Sequence, residues 1–115
     1  MSDATIDLAT FKDLQETAGA EFVGELVGTF LEEAPVMLGA LREAMAANDT
    51  DKFRRAAHSL KSNCNTFGAL ALGAMAKDLE LSGLAKVLAR GPQALDPVAQ
   101  EYARVAAALA KLRDA

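Results

Sequence analysis

Apolar residues recur with helical spacing along most of this sequence. Between residues 53 and 67 they are spaced four, three, four and three apart, so at about 100° per residue they fall in one narrow stripe. This stripe predicts an amphipathic helix with one buried face. No segment alternates apolar and polar residues as a half-buried strand does, so the pattern predicts an all-α fold. The residues of the stripe are Phe53, Ala57, Leu60, Cys64 and Phe67.

Two helices are predicted before this segment. The first covers residues 7–18, with Asp7 as its N-cap and Gly19 closing it in the left-handed conformation. The second covers residues 21–47, where the helical period continues through Pro35. Proline removes one backbone hydrogen bond, so we expect a kink or a break there. Residues 48–51 form a turn that also caps the next helix.

Two helices are predicted after the central one, which should end at Gly68. The fourth helix begins near residue 69, weakens at residues 82–83 and continues to about residue 89. The fifth helix starts with Asp96 at the cap and Pro97 in the first turn. Because the connections are short, the prediction is an antiparallel four-helix bundle with a short additional N-terminal helix. At 115 residues, the chain is expected to be a single domain, residues 1–115.

Composition excludes several classes of protein. A chain with 51% hydrophobic residues is not expected to be disordered, and its one cysteine cannot form an internal disulfide. We expect Cys64 to be a small buried residue, not a nucleophile. The first residues lack the features of a signal peptide, and no apolar run is long enough to span a membrane. We therefore expect a cytoplasmic protein without membrane contact, and a monomer.

Charge is distributed unevenly along the chain. The net charge is -4, yet no acid occurs between Lys52 and Lys77, a stretch that holds five basic residues. We interpret this stretch as a cationic patch that favours an anionic partner or a transferred anion. Five bases on an acidic domain with few aromatic residues make a poor nucleic-acid footprint, so no nucleic-acid partner is expected. The bases are Lys52, Arg54, Arg55, Lys61 and Lys77.

The only histidine, His58, lies within this cationic stretch. It falls about 140° from the centre of the apolar stripe, on the opposite face of the predicted helix. A helix that buries the stripe must therefore hold the imidazole toward water, with Lys61 one turn away. Neutral imidazole, with a reference pKa of about 6.5, is a competent nucleophile near neutral pH.

The residues around His58 resemble the signature of histidine-phosphotransfer (HPt) domains of bacterial phosphorelays. The run Ala57-His58-Ser59-Leu60-Lys61-Ser62, followed by Phe67-Gly68-Ala69, is similar to the family pattern Ala-His-x-Leu-Lys-Gly with a later Gly-Ala. Residues 30–35, 44–49 and 79–80 also resemble family elements at the expected distances. There are two departures: Ser62 stands where glycine is commonest, and Asn65 stands where a small residue is frequent.

The resemblance implies a role for each residue of the site. His58 Nε2 would take a phosphoryl group from an aspartyl phosphate and pass it to another aspartate, and the Lys61 ammonium would stabilise the phosphoryl charge. Ser62 and Asn65 would line the contact with a partner. Glu80 would accept a hydrogen bond from Nδ1–H; the alternative, an ordinary exposed helix charge, is equally open. Whether Arg54 and Arg55 steer the partner or are only part of a solvated helix face is also open.

The implied partners are response-regulator receiver domains and a sensor histidine kinase, which can be a hybrid kinase. No cofactor is expected on this chain, because Mg²⁺ would be held by the receiver domain. The sequence contains no glycine-rich nucleotide loop, so autonomous kinase activity is not expected. The competing hypothesis is a noncatalytic adaptor that docks a receiver-like partner without accepting phosphate. A metal or hydrolytic enzyme is disfavoured because a single histidine lacks the partners that such sites need.

Overall fold

The computed structural model describes residues 5–114, and within them the backbone forms five α-helices and no strand. The prediction of an all-α fold is confirmed. The five helices are α1 (Leu8–Ala18), α2 (Ala20–Ala47), α3 (Thr50–Phe67), α4 (Leu70–Ala89) and α5 (Asp96–Asp114).

Most helix ends lie where the sequence places caps. The Asp7 carboxylate accepts from the Thr10 amide at the start of α1. The Asp49 carboxylate accepts from the Lys52 amide at the start of α3, across 3.1 Å. Gly68 ends α3 in the left-handed region, with φ 86° and ψ 15°. These polar and glycine caps satisfy backbone groups that a helix end otherwise leaves without partners.

Gly19 differs from its prediction. It has φ 94° and ψ 137°, so its φ is positive but its conformation is not that of a left-handed helix. The reason is that α2 begins at the next residue, Ala20. The chain must therefore change direction within one residue, and an extended ψ achieves this. Glycine permits such a conformation because it has no Cβ.

Of the kink or break expected at Pro35, the break does not occur, since α2 runs as one helix from Ala20 to Ala47 with the proline inside it. Proline cannot donate to the carbonyl of Leu31, four residues earlier. The hydroxyl of Tyr102 on α5 donates to that carbonyl instead, across 3.5 Å. Buried residues also lie on both sides of the proline, including Ala34 and Leu38. Packing and a substitute donor thus keep the helix continuous.

The weakening predicted near residues 82–83 is present as a change of direction inside α4. Gly83 has φ 82° and ψ 162°, which are not helical values, so α4 consists of two helical pieces. Asp96 is the first residue of α5 and Pro97 lies in its first turn, in agreement with the predicted start.

The core is shared by all five helices. Helices α2, α3, α4 and α5 contact one another in a closed sequence, α2 with α3, α3 with α4, α4 with α5 and α5 with α2, while α1 packs on α2 and α3. The five stripe residues of α3 are its buried residues, as predicted. Burial raises the pKa of the Cys64 thiol to about 12, so this residue is an inert part of the core. With its stripe buried, α3 presents its other face outward.

Candidate functional site

His58 lies on the exposed face of α3, and 56% of its side chain is accessible to solvent. Its neighbours in the sequence, Ala57 and Leu60, are fully buried. The stripe of α3 therefore orients the imidazole by packing the opposite face of the helix. The position predicted for His58 from the helical spacing is the position that the structure shows.

Glu80 on α4 forms a hydrogen bond with His58 on the adjacent helix, α3. Its Oε2 lies 2.9 Å from Nδ1 of His58. The Lys61 ammonium and, more weakly, the imidazole hold the pKa of the Glu80 carboxyl below its ordinary range, against the opposing effect of burial. An ionised carboxylate only accepts hydrogen bonds, so Nδ1 must carry the proton. Nε2 then keeps the lone pair that a nucleophile needs.

Lys61 also contacts Glu80 in this structure. Its Nζ lies 3.0 Å from Glu80 Oε1, and the side chains of Lys61 and Glu80 are 25% and 18% exposed. The contact is an ion pair, and Oε1 is buried without a directed hydrogen bond from any other described residue. The carboxylate thus bridges the two residues that the sequence analysis placed at the site. The predicted roles of Lys61 and Glu80 in phosphate chemistry stay predictions.

The cationic patch is smaller than the sequence suggested. The chain between Lys52 and Lys77 lacks acids, but acids outside this stretch pair with four of its five bases. Asp51 lies on α3 itself, while Glu43 and Glu80 are brought from α2 and α4 by the fold. Among residues 5–114, Lys77 is the one base of the patch without an ion pair. The steering role of Arg54 and Arg55 stays a prediction, because exposed ion pairs are weak, at about 0–1 kcal/mol, and exchange readily. The four pairs are Lys52–Glu43 (2.8 Å), Arg54–Asp51 (2.8 Å), Arg55–Asp51 (2.9 Å) and Lys61–Glu80 (3.0 Å).

Ser62 and Asn65 are both exposed on α3. One and two turns beyond His58, they share its side of the helix, as expected. Asn65 has a second role that the sequence analysis missed. Its carboxamide lies against the backbone of Gly73 on α4, so closely that a Cβ at Gly73 would overlap Asn65 Oδ1. Asn65 therefore helps set the close approach of α3 and α4 beside the site.

A groove between α2 and α3 flanks the histidine and was also missed. Val36 is 70% exposed, although it is a large apolar residue. On a helical wheel it lies nearly opposite the buried residues of α2, and this pattern was the signal that could have found it. On α4, Leu81 follows Glu80 and is 74% exposed. The groove is lined by Val36, Met37, Ala40, Lys52, Arg55, Ala56 and Ser59.

Two features that would indicate other roles are absent from residues 5–114. No three histidine, cysteine or acidic side chains there lie close enough together to hold a metal ion. None of the helices in this part of the chain is long and apolar enough to cross a membrane.

An exposed histidine, held on one helix of an all-α domain and bonded to an acid on the next, is a site suited to accepting a group on the ring. A family model described as "Hpt domain" matches residues 25–115. The chain belongs to the Hpt domain family, and the resemblance stated from the sequence is confirmed. It is thus a helical-bundle domain of the phosphorelays of two-component signalling, whose members carry phosphoryl groups and are not kinases.

Two relatives agree with this assignment. The crystal structure of histidine-containing phosphotransfer protein B (HptB) from Pseudomonas aeruginosa PAO1 is similar, with a TM-score of 0.87 and 29% identity. That match covers 98% of this chain and 97% of HptB. The sensor protein TorS of Escherichia coli (strain K12) is 31% identical over 67 residues. This match covers 58% of the chain but only 7% of TorS.

Proposed function

We propose that this protein is a phosphorelay intermediate that carries a phosphoryl group on His58 between receiver domains. The observation that carries the proposal is the pairing of an exposed imidazole with an ionised Glu80, 2.9 Å from Nδ1. This pairing holds the tautomer whose Nε2 is nucleophilic. The family assignment supports the same role.

The chemistry asked of the chain is modest. Nε2 attacks the phosphorus of an aspartyl phosphate, the N–P bond forms, and the aspartate leaves as a carboxylate. The second transfer reverses these events toward another aspartate. Positioning and charge neutralisation account for most of the catalysis in such transfers. Lys61, one turn from His58 on α3 and paired with the same Glu80, would supply the charge neutralisation.

The proposed partners are response-regulator receiver domains and a sensor histidine kinase, which can be a hybrid. The docking surface would be the exposed face of α3 with Arg54, Arg55, Ser62 and Asn65, extended by the α2–α3 groove. Mg²⁺ would be held by the receiver's aspartates, and this chain would need no cofactor of its own. The chain would also have no autonomous kinase activity.

We further infer the setting in which this exchange takes place. Residues 1–115 would form one domain, in which α2 to α5 make an antiparallel four-helix bundle and α1 is the additional N-terminal helix. The closed sequence of contacts among α2 to α5 supports this arrangement. The protein would act as a cytoplasmic monomer.

Labelling with a phosphodonor tests the proposed function. Incubation with a phosphorylated receiver domain should transfer one phosphoryl group, and the product should be labile in acid and stable in base, as a phosphoramidate is. His58→Gln should abolish the labelling without loss of helical content, because the side chain lies outside the core. Thr17→Ala, a change at an exposed position of α1 outside the proposed docking surface, is the control and should label normally. Labelling that persists in His58→Gln contradicts the assignment, and receiver binding without labelling would favour the adaptor.

A further inference from the structure

We propose that Glu80 serves two cations in turn, and that phosphorylation of His58 transfers Lys61 from Glu80 to the phosphoryl group. This proposal deepens the proposed function and rests on it. It assigns Glu80 as a positioning residue that acts through His58 and Lys61.

The starting arrangement has one ion pair and one hydrogen bond on a single carboxylate. Glu80 Oε1 lies 3.0 Å from Lys61 Nζ, and Oε2 lies 2.9 Å from His58 Nδ1. The imidazole is neutral when it donates from Nδ1 and keeps its lone pair on Nε2, so Lys61 supplies the positive charge. Oε1 is buried and has no hydrogen-bond partner among the other described residues. Lys61 is therefore held to Glu80 for as long as nothing else offers Glu80 a cation.

The transfer itself creates that second cation. The Nε2 lone pair forms the N–P bond, and the electron pair of the broken P–O bond leaves with the aspartate. Nδ1 keeps its proton, so the ring becomes positively charged, while the phosphoryl oxygens bring negative charge. Glu80 then faces a cationic ring through the contact it already makes. Lys61, three residues from His58 on the same helix, is free to pair with the phosphoryl oxygens.

The exchange keeps every charge partnered in both states. Before transfer, Glu80 pairs with Lys61; after transfer, Glu80 pairs with the ring and Lys61 with the phosphoryl group. When the phosphoryl group leaves, the electron pair of the N–P bond returns to Nε2, the ring becomes neutral, and Lys61 returns to Glu80. Without the exchange, Glu80 would face two cations while the phosphoryl group lacked the lysine one turn away.

Few other charges face His58. On α3, Arg54 and Arg55 lie one turn before it and are both paired with Asp51. On α4, Lys77 lies one turn before Glu80. On α1 and α2, which also pack against α3, no described acid forms an ion pair with the imidazole. Lys61 and Glu80 are thus the groups through which the ring's charge can be tested.

The first test measures the pKa of the phosphorylated His58 ring. The protein and its Glu80→Gln variant are phosphorylated with phosphoramidate, and the ring nitrogens are titrated by ¹⁵N NMR above neutral pH. Glutamine keeps an acceptor of the same shape but removes the charge. The pKa of the phosphorylated ring should fall by about one unit or more in the variant, a tenfold change in proton affinity. An equal pKa in the two proteins would show that Glu80 is only a structural acceptor and would overturn the proposal.

The second test determines which group Lys61 pairs with before and after phosphorylation. At a pH where the first test finds the free ring neutral and the phosphorylated ring protonated, Lys61→Ala should shift the ¹³C resonance of the Glu80 carboxylate before phosphorylation, because the ion pair is lost. After phosphorylation the same substitution should leave that resonance nearly unchanged and shift the ³¹P resonance instead. Lys77→Ala removes a nearby exposed charge and is the control that should move neither signal. If Lys61→Ala shifts Glu80 equally in both states, the lysine stays on Glu80 and there is no exchange.

These experiments distinguish a failure of the proposed function from a failure of the exchange alone. If phosphoramidate and phosphorylated receivers both fail to label the parent protein on His58, the proposed function and the exchange fall together. If His58 is labelled but the resonances do not follow the pattern above, only the exchange is overturned.

Discussion

The hydroxyl of Tyr102 lies 3.5 Å from the carbonyl oxygen of Leu31, the acceptor that Pro35 leaves without its helical donor. The donor comes from α5, 71 residues away in the sequence. A long-range contact thus completes the backbone hydrogen bonding of α2 at a point where the local sequence cannot. Burial also raises the pKa of the Tyr102 phenol, so the hydroxyl stays protonated and able to donate.

Tyr102→Phe should therefore destabilise the protein by about 0.5 kcal/mol, the low end for a hydrogen bond because 3.5 Å is a long contact, as the Leu31 carbonyl loses its substitute donor. In a Pro35→Ala background the amide of residue 35 can donate to Leu31, so the same substitution should cost less. Urea denaturation of the four proteins measures both effects. Equal losses in the two backgrounds would show that the phenol contributes through packing alone.

Gly68 joins the end of the histidine helix to the N-terminal segment, and we expect Gly68→Ala to be harmful. The residue has φ 86°, and an added Cβ would lie 2.8 Å from the carbonyl oxygen of Asp7. The Asp7 amide also donates to the Gly68 carbonyl across 2.8 Å, so the two segments cannot separate without losing this bond. The expected loss is about 1–3 kcal/mol by thermal or chemical unfolding.

Gly39→Ala is the matched control for Gly68→Ala. Gly39 lies inside α2, and an added Cβ there meets no atom within 4 Å. Alanine should stabilise this position by about 0.5–1 kcal/mol, because glycine is a poor helix former. If both substitutions destabilise equally, the left-handed turn is not the cause of the effect at Gly68.

The predictable part of the fold is the part set by local rules. Spacing located the buried stripe of α3, and the side chains of Asp7 and Asp49 and the left-handed Gly68 marked the helix ends. Local rules failed at Pro35, where the sequence around the proline does not contain Tyr102, the residue that completes α2. They also failed at Gly19, because its conformation depends on how closely α2 follows α1.

The same distinction holds for the site: features set by a single helix could be predicted, and features that depend on the packing of two helices could not. The exposure of His58 follows from the period of its own helix, so it could be derived from the sequence alone. The Lys61–Glu80 pair could not, because its partners come from two helices whose relative position depends on packing. The ion pairs of the cationic patch divide likewise: Asp51 lies on α3 at helical spacing from Arg54 and Arg55, so these pairs are local. Glu43 lies on α2, so its pair with Lys52 depends on packing.

Val36 tests the groove between α2 and α3. If a receiver domain packs over this groove, Val36→Glu should slow transfer from the receiver by on the order of tenfold, because the added carboxylate must lose its water at an apolar part of the contact. Labelling by phosphoramidate should not change, and neither should the thermal midpoint, since Val36 is already exposed. Phe22→Glu, an exposed apolar position near the start of the same helix, is the control. Equal slowing by both variants would point to net charge as the cause.

Ser62 tests whether the partner docks directly over the histidine. Ser62 is exposed one turn beyond His58, so Ser62→Arg adds bulk to the docking face and leaves the buried stripe intact. The thermal midpoint should move little, while transfer from a receiver should fall by on the order of a hundredfold if the contact is centred here. Labelling by phosphoramidate, which needs no protein contact, should survive better.

Ser62→Ala removes the hydroxyl without adding bulk, and it should behave like the parent protein with both donors. If Ser62→Arg impairs both donors equally, the defect lies in the chemistry of the imidazole, because the small donor does not dock. If neither donor is affected, the receiver approaches from another direction. The α2–α3 groove would then be the surface to examine, because it flanks the same imidazole on the side away from Lys61 and Glu80.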